Sequence, residues 1–302
     1  MGGPFEGVHE FVEAASFEVN ALTIDVEDYW DVFSKDWLNL NIEPTEAVTR
    51  TTEQILEILD QVKVKATFFV LGTVAKKFPT LIRSISRAGH EIGSHGISHT
   101  QIFKLSREKF TAEVMDSKVL LEEIISTPVL GYRAPAFSIM PKTAWALDVL
   151  AQAGFKYDSS IFPIKSRRYG WPNFRKDICV LDRMLGFVIT EVPMSVVHFM
   201  GRDWPAGGGG YLRHFPYSVT RHCLRIIQKN RPAVVYLHPY EIDTEDKILS
   251  LEHLSKQKSK AAVKHHKMQM RKRHTVKSKL TKLLSEFEFA PVTNVLEDIG
   301  ML

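Results

Sequence analysis

The sequence predicts an α/β protein in which about seven parallel strands, each followed by helix or a long loop, form a barrel or an open doubly wound sheet. Three observations predict it. Short apolar runs alternate with segments of helical periodicity between residues 20 and 238. Residues with chemical use fall where those runs end: Asp25, His95, Arg133, Asp158 and His238. Neither GxGxxG nor GxxxxGK[ST] occurs, so a nucleotide-binding version has no support. In a barrel the C-terminal ends of the strands converge on one mouth, so residues far apart in sequence meet there.

The composition, 44% hydrophobic and 25% charged over 302 residues, is ordinary for a globular chain. No apolar run is long enough to span a bilayer. Residues 1–18 read as a poorly ordered leader, with Glu6, Glu10 and Glu13 where a secretory signal would carry its apolar core. Cys179 and Cys223 fit no zinc or disulfide spacing, and cysteine usage leans towards a reducing compartment.

The first strand, Asn20 to Asp25, ends in carboxylates, and Val26, Glu27 and Asp28 follow. Val48, Ile55, Leu59 and Val62 give a helix over 47–62, and ATFFVL at 66–71 gives a buried strand. Pro79 opens and Gly89 closes the next helix. His90 to Ile92 then leads into GSHGISH, where His95 and His99 stand four apart; on a helical turn that spacing puts two imidazoles on one face, as a shared metal ion requires. Ser106 caps a helix running to Ile125, with Phe110, Val114, Leu121 and Ile124 on one stripe. Strands follow at 129–133, 155–158, 188–192 and 233–238, with helices at 143–153 and 218–229.

Two stretches, 169–175 and 198–211, read as loops. The second holds Trp204 and four glycines, 207–210. A glycine run lets backbone approach a ligand, so this loop is expected to line a groove, with Trp204, Gly209 and Tyr211 as contacts. Residues 256–282 are rich in Lys, Arg and His without an acid, and read as a solvated, mobile or helical surface. Leu280, Leu283, Leu284 and Phe287 restore an apolar stripe that docks the tail back onto the domain. The division expected is a leader over 1–18, a barrel over 19–243 and a basic extension over 244–302.

Five stretches in order, TIDVED (23–28), HGISH (95–99), YRAP (132–135), YDSSIF (157–162) and VYLHP (235–239), resemble the polysaccharide deacetylases of carbohydrate esterase family 4. EVPMS (191–195), GGGGYLRHFPY (207–217) and LHPYEID (237–243) resemble a subgroup associated with bacterial exopolysaccharide loci. The resemblance implies a distorted (β/α) barrel of about seven strands. It also implies a divalent metal, usually zinc, with cobalt, nickel or manganese compatible with the same ligand types. His95 and His99 match the histidine ligands. The family's carboxylate ligand is displaced here, because Val26 follows Asp25. Glu27 supplies it if the strand persists, since residues two apart share a face; Asp28 supplies it if the chain turns after Val26.

By the same resemblance Asp25 is the general base that takes a proton from metal-activated water, and Arg133 holds that base ionised. His238 is the general acid for the departing amine, and Asp158 orients that histidine. A backbone N–H between Ala134 and Phe137 helps to hold the oxyanion. Tyr132, Pro135 and Phe137 of the third motif are expected to touch substrate. The implied activity is removal of N-acetyl groups from an amino-sugar polysaccharide or its lipid-linked precursor. Exopolysaccharide assembly proteins are the implied partners and the cytoplasm or its membrane face the implied location. No nucleic-acid partner is expected. The competing reading is a catalytically silent carbohydrate-binding protein that uses the same groove.

Overall fold

A computed structural model of the chain describes residues 17–166, 168–183, 186–245 and 260–302. In chain order its elements are β1 (Val19–Val26), α1 (Tyr29–Phe33), α2 (Glu46–Gln61), β2 (Thr67–Val70), α3 (Gly72–Lys77), α4 (Pro79–Arg87), β3 (Glu91–Ser94), α5 (Arg107–Ile125), β4 (Gly131–Tyr132), α6 (Ala146–Gln152) and β5 (Tyr157–Asp158). They continue with β6 (Cys179–Asp182), β7 (Val188–Glu191), β8 (Val196–Phe199), β9 (Arg202–Pro205), α7 (Gly210–His214), α8 (Tyr217–Ile227), β10 (Val234–Leu237), α9 (Lys260–Met270), α10 (Val276–Glu286), β11 (Glu288–Ala290) and α11 (Val292–Asp298). A π-helical turn, Ser34–Leu38, follows α1.

The main sheet runs β10-β1-β2-β3-β4-β5-β7-β6, parallel from β10 through β7, with β6 antiparallel at the edge. The curved, mostly parallel sheet with helices outside is the distorted α/β barrel that the sequence predicts. Its strands are short, in places two residues, because each needs only to reach the mouth.

Two-residue alternation separates the layers. Leu22, Ile24 and Val26 of β1 join Phe68 and Val70 of β2 in the outer core beneath the helices. Ala21 and Phe69 face the other way, into a second cluster with Tyr157, Met194 and Tyr236. Thr23 and Asp25 share the parity of Ala21, so the same pattern that fills the barrel aims Asp25 into it. Helix α11 closes the far end, where Val292, Val295 and Leu296 join that inner cluster.

Two predicted regions differ. The stretch 198–211 is not one loop: β8 and β9 pair antiparallel through Val197↔Trp204 and His198↔Asp203, and α7 follows. The glycine run pairs with the edge of β10. Tyr236 N–H donates to the Gly207 carbonyl at 2.7 Å, and Gly209 N–H donates to the Tyr236 carbonyl at 2.8 Å. A Cβ on Gly208 would lie 1.9 Å from the Tyr236 oxygen, so only glycine allows this backbone-to-backbone approach.

The basic stretch differs too. It is helical, as one of the expected alternatives has it, in α9 and α10, but Arg273 and His266 are buried rather than solvated. The cause is an aromatic lining on α1 and beyond: His266 Nδ1 lies 2.8 Å from the Tyr29 hydroxyl, His265 stacks on Trp37, and Arg273 lies over Tyr29 and Tyr240. Leu280, Leu283 and Leu284 enter the outer core, and β11 pairs in parallel with the start of β1. The predicted leader up to residue 16, and 256–259 of the basic stretch, lie outside the described residues.

Candidate metal and acid–base centre

Glu27 leaves β1 one residue past its end, and its carboxylate meets both histidines. Glu27 Oε2 lies 3.1 Å from His99 Nε2 and 3.6 Å from His95 Nε2. All three ligand atoms fall within 4.8 Å of one another, and all three residues are buried. The histidines are not on a helix. His95 follows β3 directly, Gly96 has a φ of +77° and His99 a φ of +53°, so a tight loop turns the second imidazole back onto the first. Gly72 and Thr73 at the start of α3 donate their N–H groups to the carbonyls of Gly96 and Ile97, which pins that loop.

The donor set fits a divalent cation. Glu27 Oε2 is buried with no hydrogen-bond partner, which is costly unless a positive group faces it. His95 Nδ1 donates to the Arg133 carbonyl at 2.8 Å, which leaves the Nε2 lone pair directed at the glutamate. His99 Nδ1 faces Asp36 at 4.0 Å, on the π-helical turn. Burial pushes the Glu27 carboxyl up, but His99 and His238 outweigh it and hold Glu27 well below the usual carboxylate range. Burial likewise lowers His99, and Glu27 and Asp36 outweigh it to give a net rise.

Asp28, the alternative third ligand, is turned elsewhere. Its Oδ1 accepts from the N–H groups of Trp30 and Asp31 as the N-cap of α1, and its Oδ2 accepts from Thr45. The chain does turn after Val26, but the turn consumes Asp28 rather than presenting it.

Asp25 faces the same centre. Arg133 is fully buried, and its Nη1 donates to Asp25 Oδ1 at 2.8 Å and to Thr23 Oγ1 at 2.7 Å. Its remaining donors go to Ser159, from Nε to the carbonyl and from Nη2 to the hydroxyl, while its plane lies 4.3 Å from the centre of the Phe69 ring. Every lobe of the guanidinium is held, so Asp25 has a fixed cationic partner. Opposite, His238 Nε2 lies 4.0 Å from Asp25 Oδ2 and 3.5 Å from Glu27 Oε1.

Asp158 does not orient His238. Its Oδ1 accepts from the Ser160 hydroxyl at 2.6 Å and its Oδ2 from the Ser160 N–H, and it shares a hydrogen bond with buried Glu191. Burial raises both carboxyls, Asp158 to about 6 and Glu191 further, so the pair holds a proton. The group at His238 Nδ1 is instead Glu241 Oε2, at 3.1 Å, a residue the sequence reading missed. The signal was present: Pro239 and Glu241 stand at the first and third positions of a short 3₁₀ turn, and Glu241 also accepts from the His238 N–H as in a capping box.

The expected substrate contacts divide. Tyr132 is a core residue, edge-on to Phe110 and Phe155 and 1% exposed, because β4 turns its side chain into the outer layer. Trp204 sits on β9, and Ala206, two residues later, packs beside Val234 at the end of β10 opposite His238. It is therefore remote from the mouth. Gly209 is spent on the β10 edge. Pro135 opens a 3₁₀ turn beneath the centre, and Phe137 packs against Phe162, Tyr169 and Tyr236. Tyr211 reaches that group through its hydroxyl, 3.2 Å from the Tyr169 hydroxyl.

Comparison with known proteins places this geometry. Residues 32–157 match a family model described as polysaccharide deacetylase, and residues 159–297 match one described as a domain of unknown function, DUF3473. A peptidoglycan-N-acetylglucosamine deacetylase of Bacillus cereus is 36% identical over 84 residues, 28% of this chain and 39% of that protein. A chitooligosaccharide deacetylase of Bradyrhizobium is 26% identical over 157 residues, 52% of this chain and 66% of that protein. These matches thus span about two-fifths to two-thirds of the relatives' own lengths. A crystal structure from Mycobacterium smegmatis, assigned as a polysaccharide deacetylase, superposes with a TM-score of 0.63 at 20% identity. It covers 96% of this chain and 95% of that one, so the two share a fold.

Proposed function

Residues 32–157 belong to the polysaccharide deacetylase family, and from that premise we propose that the protein is a metal-dependent hydrolase. Its reaction is removal of N-acetyl groups from an amino-sugar polysaccharide or its lipid-linked precursor. The observation that carries the reading is the unpartnered buried oxygen of Glu27 between His95 and His99, with Asp25 and His238 facing it from two sides. Glu27, His95 and His99 hold the divalent cation, zinc being favoured by two imidazoles with one carboxylate. When bound, that ion supplies Lewis acidity to the acetyl carbonyl and lowers the pKa of water.

The chain's own residues do the rest. Asp25, bound at Oδ1 by Arg133 Nη1, accepts the proton of the attacking water. His238 donates a proton to the departing nitrogen; burial lowers its pKa, and Glu27, Glu241 and Asp25 outweigh burial and raise it. Between Ala134 and Phe137 the choice of oxyanion donor narrows to Ala136. The Ala134 N–H goes to Ser160 Oγ and the Phe137 N–H to the Ala134 carbonyl, while Pro135 has none. Phe137, Tyr169 and Tyr211 form an apolar wall suited to a pyranose face. The free thiols Cys179 and Cys223 suit a reducing compartment, which supports the cytoplasm or its membrane face as the site of action. No described helix is long and apolar enough to cross a membrane.

The test is metal content of the purified protein with acetate release from N-acetylglucosamine oligomers before and after chelation. One equivalent of metal and chelator-sensitive acetate is the expected result. Absence of metal after reconstitution with zinc would remove the proposal.

A further inference from the structure

Residues 159–297, which match a family model described as a domain of unknown function, carry a buried polar chain that begins at His238. Glu241 Oε2 accepts at 3.1 Å from His238 Nδ1, and Glu241 Oε1 accepts at 2.9 Å from Arg213 Nη1. Arg213 Nη2 donates at 2.8 Å to Gln269 Oε1 on α9. Glu241 is 2% exposed and Arg213 1%, so neither bond competes with bulk water. The helix that bears Arg213 is itself fixed: Lys279 of α10 donates to the carbonyls of Leu212, Arg213 and Phe215 at its C-terminal end. Tyr240 stacks on the His238 ring at 4.8 Å and 17°, which leaves rotation within the ring plane as the freedom that Glu241 removes.

We propose that Glu241 is the positioning residue of His238, and that Arg213 and Gln269 hold it, so the C-terminal extension completes the acid arm of the active site. The inference rests on the deacetylase reading, in which His238 protonates the leaving nitrogen. An Nδ1–H bound to Glu241 leaves Nε2 as the atom that faces Asp25 and Glu27 and carries the transferable proton. As the C–N bond breaks, that proton passes from Nε2 to the nitrogen. The ring becomes neutral with Nδ1–H still on Glu241, and the acetyl group leaves as acetate with the oxygen of water. Glu241 touches neither substrate nor metal and acts through the histidine. Asp158, where sequence alone would put this role, is occupied by Ser160 and Glu191.

The experiment compares wild type with Glu241→Gln, which keeps the size and an acceptor for Arg213 but removes the charge. Two substrates are used: an N-acetylglucosamine oligomer, whose amine must be protonated to leave, and 4-nitrophenyl acetate, whose phenolate leaves unaided. The expected result is a kcat for the amide lower by about 100-fold with KM little changed, and ester turnover within about 3-fold of wild type. Metal content should be unchanged. Equal losses on both substrates, or undiminished amide turnover, would overturn the proposal. A second readout needs no turnover: nitrogen-15 spectra of histidine-labelled, metal-free protein should show His238 with a fixed Nδ1–H in the wild type and not in Glu241→Gln. An unchanged His238 signal also overturns it. If the wild type releases acetate from neither substrate, the deacetylase reading fails, while the spectra still decide whether Glu241 fixes the ring.

Discussion

Neighbouring carboxylates on one short stretch have three different fates, and backbone position decides each. Asp25 is inside the barrel by strand parity, Glu27 is freed just past the strand, and Asp28 is captured by the helix that starts next. Two consequences can be measured. Glu27→Gln should lose bound metal on gel filtration, whereas Asp28→Ala should keep it and lower stability by about 1 kcal/mol in urea titration, the worth of an N-cap. Asp25→Asn should retain the metal and reduce kcat for amide hydrolysis by about 1,000-fold. The pairing of Asp25 with Arg133 was legible through the resemblance of the TIDVED and YRAP stretches to the deacetylase family, and the parity of β1 accounts for Asp25 facing inward. Glu241 is marked in the sequence only by its spacing from Pro239, and Arg213 by no local signal, since only the tertiary fold brings it to Glu241.

At the scale of elements, the strands of the parallel sheet were legible because each is an apolar run bounded by breakers. The β8–β9 hairpin was not. Its two-residue connection is Met200-Gly201, both with positive φ, and methionine in the first place hides a turn that asparagine or aspartate would have announced. The glycine run marks a close backbone approach, and its partner in the structure is the edge of β10. Gly208→Ala should therefore cost about 3 kcal/mol or more by thermal unfolding, with loss of soluble protein, because the clash is with backbone that cannot yield. A variant at Trp204, such as Trp204→Ala, should leave KM for oligosaccharides unchanged, as its hairpin lies at the end of β10 away from His238.

For the whole molecule, the buried Asp158–Glu191 pair makes stability depend on pH. Burial raises both carboxyls, and Asp158 reaches about 6 in the folded state against about 4 in an unfolded chain. The folded protein then binds more protons than the unfolded one between those values. The Asp158 part of this contribution is fully present below about pH 4 and is lost as pH rises through 6, while Glu191, raised further, keeps its part beyond that. Urea midpoints should show Asp158→Asn gaining on the wild type between pH 4 and 6.

The pairing of β1 has a consequence for how the chain reaches this state. The first strand hydrogen-bonds to β2 on one side, to β10 on the other, and at its start to β11. Asn20 thus waits for Phe289, 269 residues further along the chain, so β1, the first strand made, is among the last to have all its partners during synthesis. Loop-closure entropy of that size makes folding slow, and until β10 arrives the partly made sheet offers an open edge beside its own acidic residues. The metal ligands Glu27, His95 and His99 all emerge from the ribosome well before His238 does. A cation captured early would tie β1 to β3 and hold the unfinished sheet together while the remaining strands are made.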